Sequence, residues 1–359
     1  MLFLSHKCDR MKANTFEERI MKKILGIIAL FLILLQVPSY AAGIEVQPTM
    51  ISRSNEQDRV WVGTFQLVWN EFIDKVIFNP VRFREGTPFM VYALNQKMFT
   101  ASELSDDSYY TMAGKVTKKT KKQITKAIKK KFKETSDLLE KLDLTPRNDM
   151  FIIYAMLKKE FEFKNEFEKL GKSTFGENQV AEYFGLNKTA DTNKRNGVEV
   201  LFYNSQRDFA VKLATTGKDE VYLYKNSTNK PFAYIYSDML KKNKAFRGDK
   251  QFTDLDELKV PNVSFFEEKS FDELTNKRIM GTNYVINQAM ETVRFDMNNK
   301  GVKLKSEAAL TIMTMSLQPE KEPRMFNFDD TFVIFLKEKG KGNPYMALRV
   351  NDITKFQKQ

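Results

Sequence analysis

Two hydrophobic periods alternate along this chain, and the switches between them outline its elements. Residues 60–77 carry Phe65, Val68, Trp69, Phe72 and Val76 at helical spacing, which predicts an amphipathic helix. Residues 89–99 are apolar enough to predict a strand, and Ser102 stands where a cap would open a short helix over residues 102–110. Over residues 118–144, Ile124, Ile128 and Phe132, then Leu138, Leu139 and Leu142, form one apolar stripe on a lysine-coated helix. Beyond it the period falls to two. Residues 150–163 open as a continuous apolar run, as a strand buried on both faces does, and end alternating. Residues 198–203, 208–213 and 220–224 predict a meander. Residues 331–336 and 345–350 predict a hairpin, and Gly340-Lys341-Gly342 between them lacks the spacing of a phosphate loop. No internal repeat or long linker interrupts residues 42–359, which predicts one intertwined domain.

One stretch behaves in two ways. Val302, Leu304, Ser306, Ala308, Leu310, Ile312 and Thr314 alternate with Lys303, Lys305, Glu307, Ala309, Thr311 and Met313, the pattern of a half-buried strand. After Met315 the chain turns polar and is broken by Pro319 and Pro323, as an exposed loop is. Two readings stay open: a permanent strand followed by a loop, or a segment that is loop in one state and strand in another.

The N-terminal segment changes the chemistry available. Lys22 and Lys23, an apolar run over residues 24–35, Pro38 and the small-residue site at 39–41 predict a secretory signal over residues 21–41. A bilayer span takes roughly 20 apolar residues, so this shorter run predicts cleavage and no membrane span afterwards. Residues 1–20 read as an extension upstream of a start at Met21, and the product is expected to be secreted or periplasmic. The single cysteine and single histidine, Cys8 and His6, both lie in the part to be removed. Without imidazole or thiol, the exported chain is excluded from Ser-His-Asp triads, cysteine nucleophiles, ordinary zinc sites and disulfide staples. No cofactor, metal or enzymatic activity is expected. Glu160 and Glu162 bracket Phe161 on one face of one strand, which does not make a glycosidase pair.

Residues 42–359 hold 52 basic against 43 acidic side chains, about +9, which favours solubility and attraction to acidic surfaces. Lys118, Lys119, Lys121, Lys122, Lys126, Lys129, Lys130 and Lys133 crowd one predicted helix. They are a candidate patch for acidic polysaccharide or envelope polymer, set against the plainer reading of a solvated helix face. Aromatic side chains do not interleave them, so specific nucleic-acid binding is not expected.

Several stretches resemble serpins in their order and spacing, from about residue 124 to the C-terminus. ITKAIKKKFKETSDLLEKLDL (residues 124–144) resembles the serpin helix that crosses the main sheet. MFIIYAMLKKEFEFKNEF (residues 150–167) is similar to the central strand, with Tyr154-Ala155 where the family has Asn-Ala. KVPNVSFFEEKSFDEL (residues 259–274) resembles the Leu-Pro-x-Phe strand and the helix after it. FNFDDTFVIFL and PYMALRV resemble the C-terminal hairpin.

The resemblance implies an α+β fold with a large mixed or antiparallel main sheet, smaller sheets and helices packed on it, and a monomer. It assigns the hinge to Gly301, Val302, Leu304, Ser306 and Ala308, and the bond offered to an extracellular serine or cysteine protease to Met315-Ser316. The leading segment would insert as an extra strand after cleavage. Three features depart from the family's inhibitors: Val302, Leu304 and Lys305 stand where they keep small residues; the acid before the hinge glycine is missing from Asn298, Asn299 and Lys300; and the part before the crossing helix is short. Slow insertion of a bulky hinge would make such a chain a substrate. The alternative is a non-inhibitory binding module that uses the lysine helix.

Overall fold

The structure is a computed structural model and describes residues 43–146, 150–302 and 323–357. Residues Ile44–Gln359 form one compact unit. The predicted signal peptide, and Leu304, Ser306, Ala308, Met315 and Ser316 of the predicted loop, lie outside the described residues. No helix among the described residues is long and apolar enough to cross a membrane.

Strands β1 (Glu45–Gln47) and β2 (Arg59–Val62) lead into helix α1 (Thr64–Phe72), which widens to a π-turn over Ile73–Ile77. Helix α2 (Phe89–Asn95), strand β3 (Tyr109–Lys115) and helix α3 (Thr120–Phe132) follow. Then come β4 (Phe151–Leu157), β5 (Phe161–Glu162), β6 (Glu168–Phe175), β7 (Gln179–Leu186), β8 (Val198–Ser205), β9 (Asp208–Ala214) and β10 (Asp219–Lys225). Helix α4 (Phe232–Ala245) separates them from β11 (Glu257–Pro261), β12 (Val263–Ser270), β13 (Met290–Met297), β14 (Gly301–Val302), β15 (Met325–Asn327), β16 (Phe332–Glu338) and β17 (Met346–Val350).

The fold class expected from the sequence, α+β with a large mixed sheet and smaller ones, is the one observed. Seven strands in the order β1-β2-β17-β16-β10-β9-β8 make the largest sheet, mixed because β1 runs parallel to β2. A four-stranded sheet, β15-β11-β7-β6, shares its core. The runs FVIFL and, apart from Arg349, MALRV are apolar at successive positions because both faces of their sheet are covered. Phe335 meets Phe232 and Tyr236 of α4, while Phe332 meets Phe175 and Phe328. The predicted meander is β8-β9-β10 and the predicted hairpin is β16-β17.

Four local expectations are corrected. Residues 89–95 hold a helix, not a strand, because its buried residues are Val91, Ala93 and Leu94, and Val91 and Leu94 stand at helical spacing. Asn95 fixes this helix: its side chain accepts from Trp69 Nε1 and the Val81 N–H, and donates to the Val81 carbonyl. Ser102 caps no helix; residues 101–103 form one 3-10 turn, and Glu103 instead accepts the Gly342 and Asn343 N–H groups. The lysine helix stops at Phe132, with Lys133 left-handed at φ 57°. Ser136 Oγ then accepts the Leu138 and Leu139 N–H groups, satisfying them outside any helix. The helix expected near residue 274 is a single 3-10 turn, Asp272–Leu274.

Helix α3 lies on the β3-β4 ladder, burying Ile124, Ile128 and Phe132 with Ile152 and Tyr154. That ladder and the β12-β13 ladder are not hydrogen-bonded to each other: the sheet that the helix was expected to cross is two separate pairs of strands.

Candidate functional site

A cavity of about 650 Å3 lies between β4 and β13. Its inner wall is α1, through Phe65, Val68, Trp69 and Phe72. Alternation decides which side chains look into it. Ile152 and Tyr154 turn to α3, so Ile153, Ala155 and Leu157 turn to α1. On β13, Val293 and Phe295 join the main core, and Glu291 stands in phase with them. β4 is paired on one edge by β3 and β13 on one edge by β12, so the other edge of each faces the cavity. A strand's unpaired edge is a row of amide groups ready to receive another strand.

The segment expected to be the hinge lies at the upper end of this slot. After β13 the chain turns back at Asn298–Gly301, and β14 pairs antiparallel with β5, Gly301 opposite Glu162 and Val302 opposite Phe161. The Phe163 N–H donates to the Lys300 carbonyl at 3.0 Å, and the Phe167 N–H to the Asn299 carbonyl at 2.9 Å. Asn299, buried where the resemblance led one to expect an acid nearby, donates through Nδ2 to the Glu166 carboxylate at 2.7 Å. The acid of this contact therefore sits on the strand side and the amide on the hinge side. Glu162 serves the hinge through its main chain, and Glu160 pairs with Lys158 at 3.2 Å, so the two carboxylates make no joint site.

Glu291 has no counterpart in the sequence reading. Its carboxyl group is buried, only 4 % exposed, and among the described residues neither oxygen completes a hydrogen bond, although the Phe65 N–H approaches. Burial pushes its pKa up to about 8, against a smaller opposing contribution from the Phe65 N–H in the first turn of α1. The signal was available: Glu291 is the acidic residue in phase with Val293, Phe295 and Met297.

A second buried ion cluster supports the upper end. Lys159 pairs with Glu338 and, at 3.0 Å, with Asp219, while the Ser105 and Ser108 hydroxyls donate to Glu338. Burial acts to raise the Glu338 pKa, but the hydrogen bonds from Lys159 and Ser105 outweigh it and hold the carboxyl below its usual range.

The structure places the lysines of the predicted patch on one helix and its flanks. Lys118, Lys119, Lys121, Lys122, Lys126, Lys129, Lys130 and Lys133 are all exposed on or beside α3, and Lys121 pairs with Glu140 at 2.6 Å.

No family model and no curated protein matches the chain. Among solved structures it is similar to Serpin48 of the insect Tenebrio molitor, at 14% identity and TM-score 0.44 over 82% of this chain and 92% of that one. It is also similar to a thyroxine-binding globulin in complex with thyroxine, at 11% identity and TM-score 0.41 over 64% of this chain and 63% of that one. Human thyroxine-binding globulin with its hormone gives 10% identity and TM-score 0.43 over 73% and 81%.

Proposed function

We propose that this is a secreted serpin-like protein whose segment over residues 303–314 stays outside the slot until an extracellular protease cuts at Met315-Ser316, and then enters as a strand between β4 and β13. The observation that carries this reading is β14: two residues of such a strand already pair with β5. Continuing that ladder sets Ser306 opposite Leu157, Ala308 opposite Ala155 and Leu310 opposite Ile153. Continuing the Asn298–Gly301 bridge on the other side sets Ser306 opposite Val293 and Ala308 opposite Glu291. The two ladders agree in phase, so Leu304, Ser306, Ala308, Leu310 and Ile312 would look towards α1. Lys303 would fall between Glu160 and Asp296. Burial of each large apolar side chain contributes about 1.5–3 kcal/mol, which makes the uncut form a store of unused stability. All acid–base chemistry belongs to the protease, in keeping with a chain whose exported part has no His or Cys.

Incubation with subtilisin-like and elastase-like proteases, followed by a denaturing gel and a melting curve, tests it. A covalent adduct supports trapping. Cleavage at Met315 that yields a higher melting temperature but no adduct supports insertion without inhibition. Cleavage with neither outcome rejects the reading.

The exposed lysines of α3 favour a second activity on the same scaffold, contact with an acidic envelope polymer. It predicts binding that weakens with salt and does not depend on Met315.

A further inference from the structure

Glu291 is the unexplained group of the slot. A carboxyl group taken out of water without completed hydrogen bonds is costly, so a chain that keeps one there invites a partner for it. The charged neighbours do not supply that partner. On its own strand, Arg294 points to the opposite face and pairs with Asp137. Across the ladder Lys269 of β12 is in register with Glu291, yet among the described residues the two form no ion pair. At the β4 end, Lys158 is taken by Glu134 and Glu160, and Lys159 by Glu338 and Asp219. From α1 only the Phe65 N–H approaches. The α1 side of the wall, Phe65, Val68, Trp69 and Phe72, is aromatic and aliphatic, while polar residues such as Ser136, Asp143, Asn287 and Gln288 line other parts, and the volume of about 650 Å3 falls within the range of small-molecule sites, roughly 300–1,000 Å3.

We propose that the slot binds an organic cation, a primary ammonium on an aromatic or alkyl body, with the ammonium at Glu291 and the body along Phe65, Val68, Trp69 and Phe72. The ammonium supplies the missing donors, and the aromatic rings add a face attractive to cations. In the free protein at neutral pH the carboxyl carries a proton, so binding a charged amine expels it. Ligand and inserted strand would use the same space and exclude one another. The site belongs to the uncut protein, so its test does not depend on strand insertion.

Calorimetric titration of the uncut protein with 4-phenylbutylamine, and separately with neutral 4-phenylbutan-1-ol, tests the assignment. The amine should bind about tenfold more tightly for each unit of pH between 6 and 7, releasing about one proton, and the release should vanish by about pH 9. The alcohol should bind at least about tenfold more weakly at pH 9, and Glu291→Gln should lose both the pH dependence and the preference for the amine. Equal binding of amine and alcohol, no proton release at pH 6, or no binding of either overturns the proposal. The alcohol comparison uses the unaltered protein, so the result stands even where the variant fails to fold.

Discussion

Gly301 lies so close to Glu162 that a Cβ built on it would stand 2.6 Å from the Glu162 Cα and 2.7 Å from the Phe161 carbonyl oxygen. Its φ of +139° is a second reason for glycine. At Gly301, β14 thus meets β5 by backbone-to-backbone approach. Gly301→Ala is expected to cost about 1–3 kcal/mol and to raise hydrogen exchange at the Phe163 and Phe167 amides. A urea titration that moves by less than about 0.5 kcal/mol would show that β14 does not hold the upper end.

Lys159 is the cation of a cluster whose acids are nearly buried, with side-chain exposures of 10% for itself and 3% for Glu338. Lys159→Met leaves Glu338 charged and unpaired, and is expected to cost about 3–5 kcal/mol at neutral pH. The pH dependence has a definite sign. In the folded protein the Glu338 pKa is depressed, so its contribution is present above the unfolded value, about 4.3, and is lost as pH falls through the folded one. In the variant, acid should instead relieve the buried charge, narrowing the gap to wild type below about pH 4. Melting curves between pH 3 and 7 with a constant gap would contradict this.

Glu291 runs the other way. Its folded pKa lies above the unfolded one, so its stabilising contribution is complete below about pH 4.3 and is lost as pH rises through about 8. Glu291→Gln should therefore stabilise the protein by about 2–4 kcal/mol at pH 8 and change little at pH 4. Denaturant midpoints at the two pH values measure it, and an equal shift at both would place the effect in packing and not in charge.

Much of the architecture was legible because period and burial coincide. The runs at residues 331–336 and 345–350 are apolar except for Thr331 and Arg349, and β16 and β17 are covered on both faces. The segment 89–99 misled because Phe89, Tyr92 and Met98 are apolar but exposed, which fills in the pattern of a strand around the buried pair Val91 and Leu94. Helix α3 ended early because Ser136 offers local hydrogen bonds that an apolar stripe cannot reveal. The slot itself was not legible: it depends on which strands fail to pair, and no single segment states that.

The eight lysines around α3 carry a separate expectation. Their side chains are exposed and α3 is held by Ile124, Ile128 and Phe132, so replacing Lys118, Lys122, Lys126 and Lys129 with Gln should change stability by less than about 0.5 kcal/mol. Retention of the protein on an immobilised acidic polysaccharide should fall in the variant and fall with added salt in the wild type. Salt-independent retention, equal in both, would leave α3 a solvated face.

Bulk placed on the two faces of the inserting segment should have unequal effects. In the proposed register Ala308 falls opposite Ala155 and Glu291, both buried, whereas Lys305 falls opposite Lys158 and Arg294, whose side chains are 27% and 60% exposed. Ala308→Trp would force an indole against α1, and overpacking of that kind costs about 1–3 kcal/mol or more, enough to stop the strand where it begins to bury Leu310 and Ile312. Lys305→Trp puts the same bulk on the more open face, away from α1. After cleavage at Met315, wild type and Lys305→Trp should both gain about 10 °C or more in melting temperature, while Ala308→Trp should gain much less. The uncut forms of all three should melt together if, as proposed, the segment stays outside the slot before cleavage. Equal gains in both variants would mean that the cut segment does not take this register, and the agreement of the two ladders about its inward face would then have no mechanical consequence.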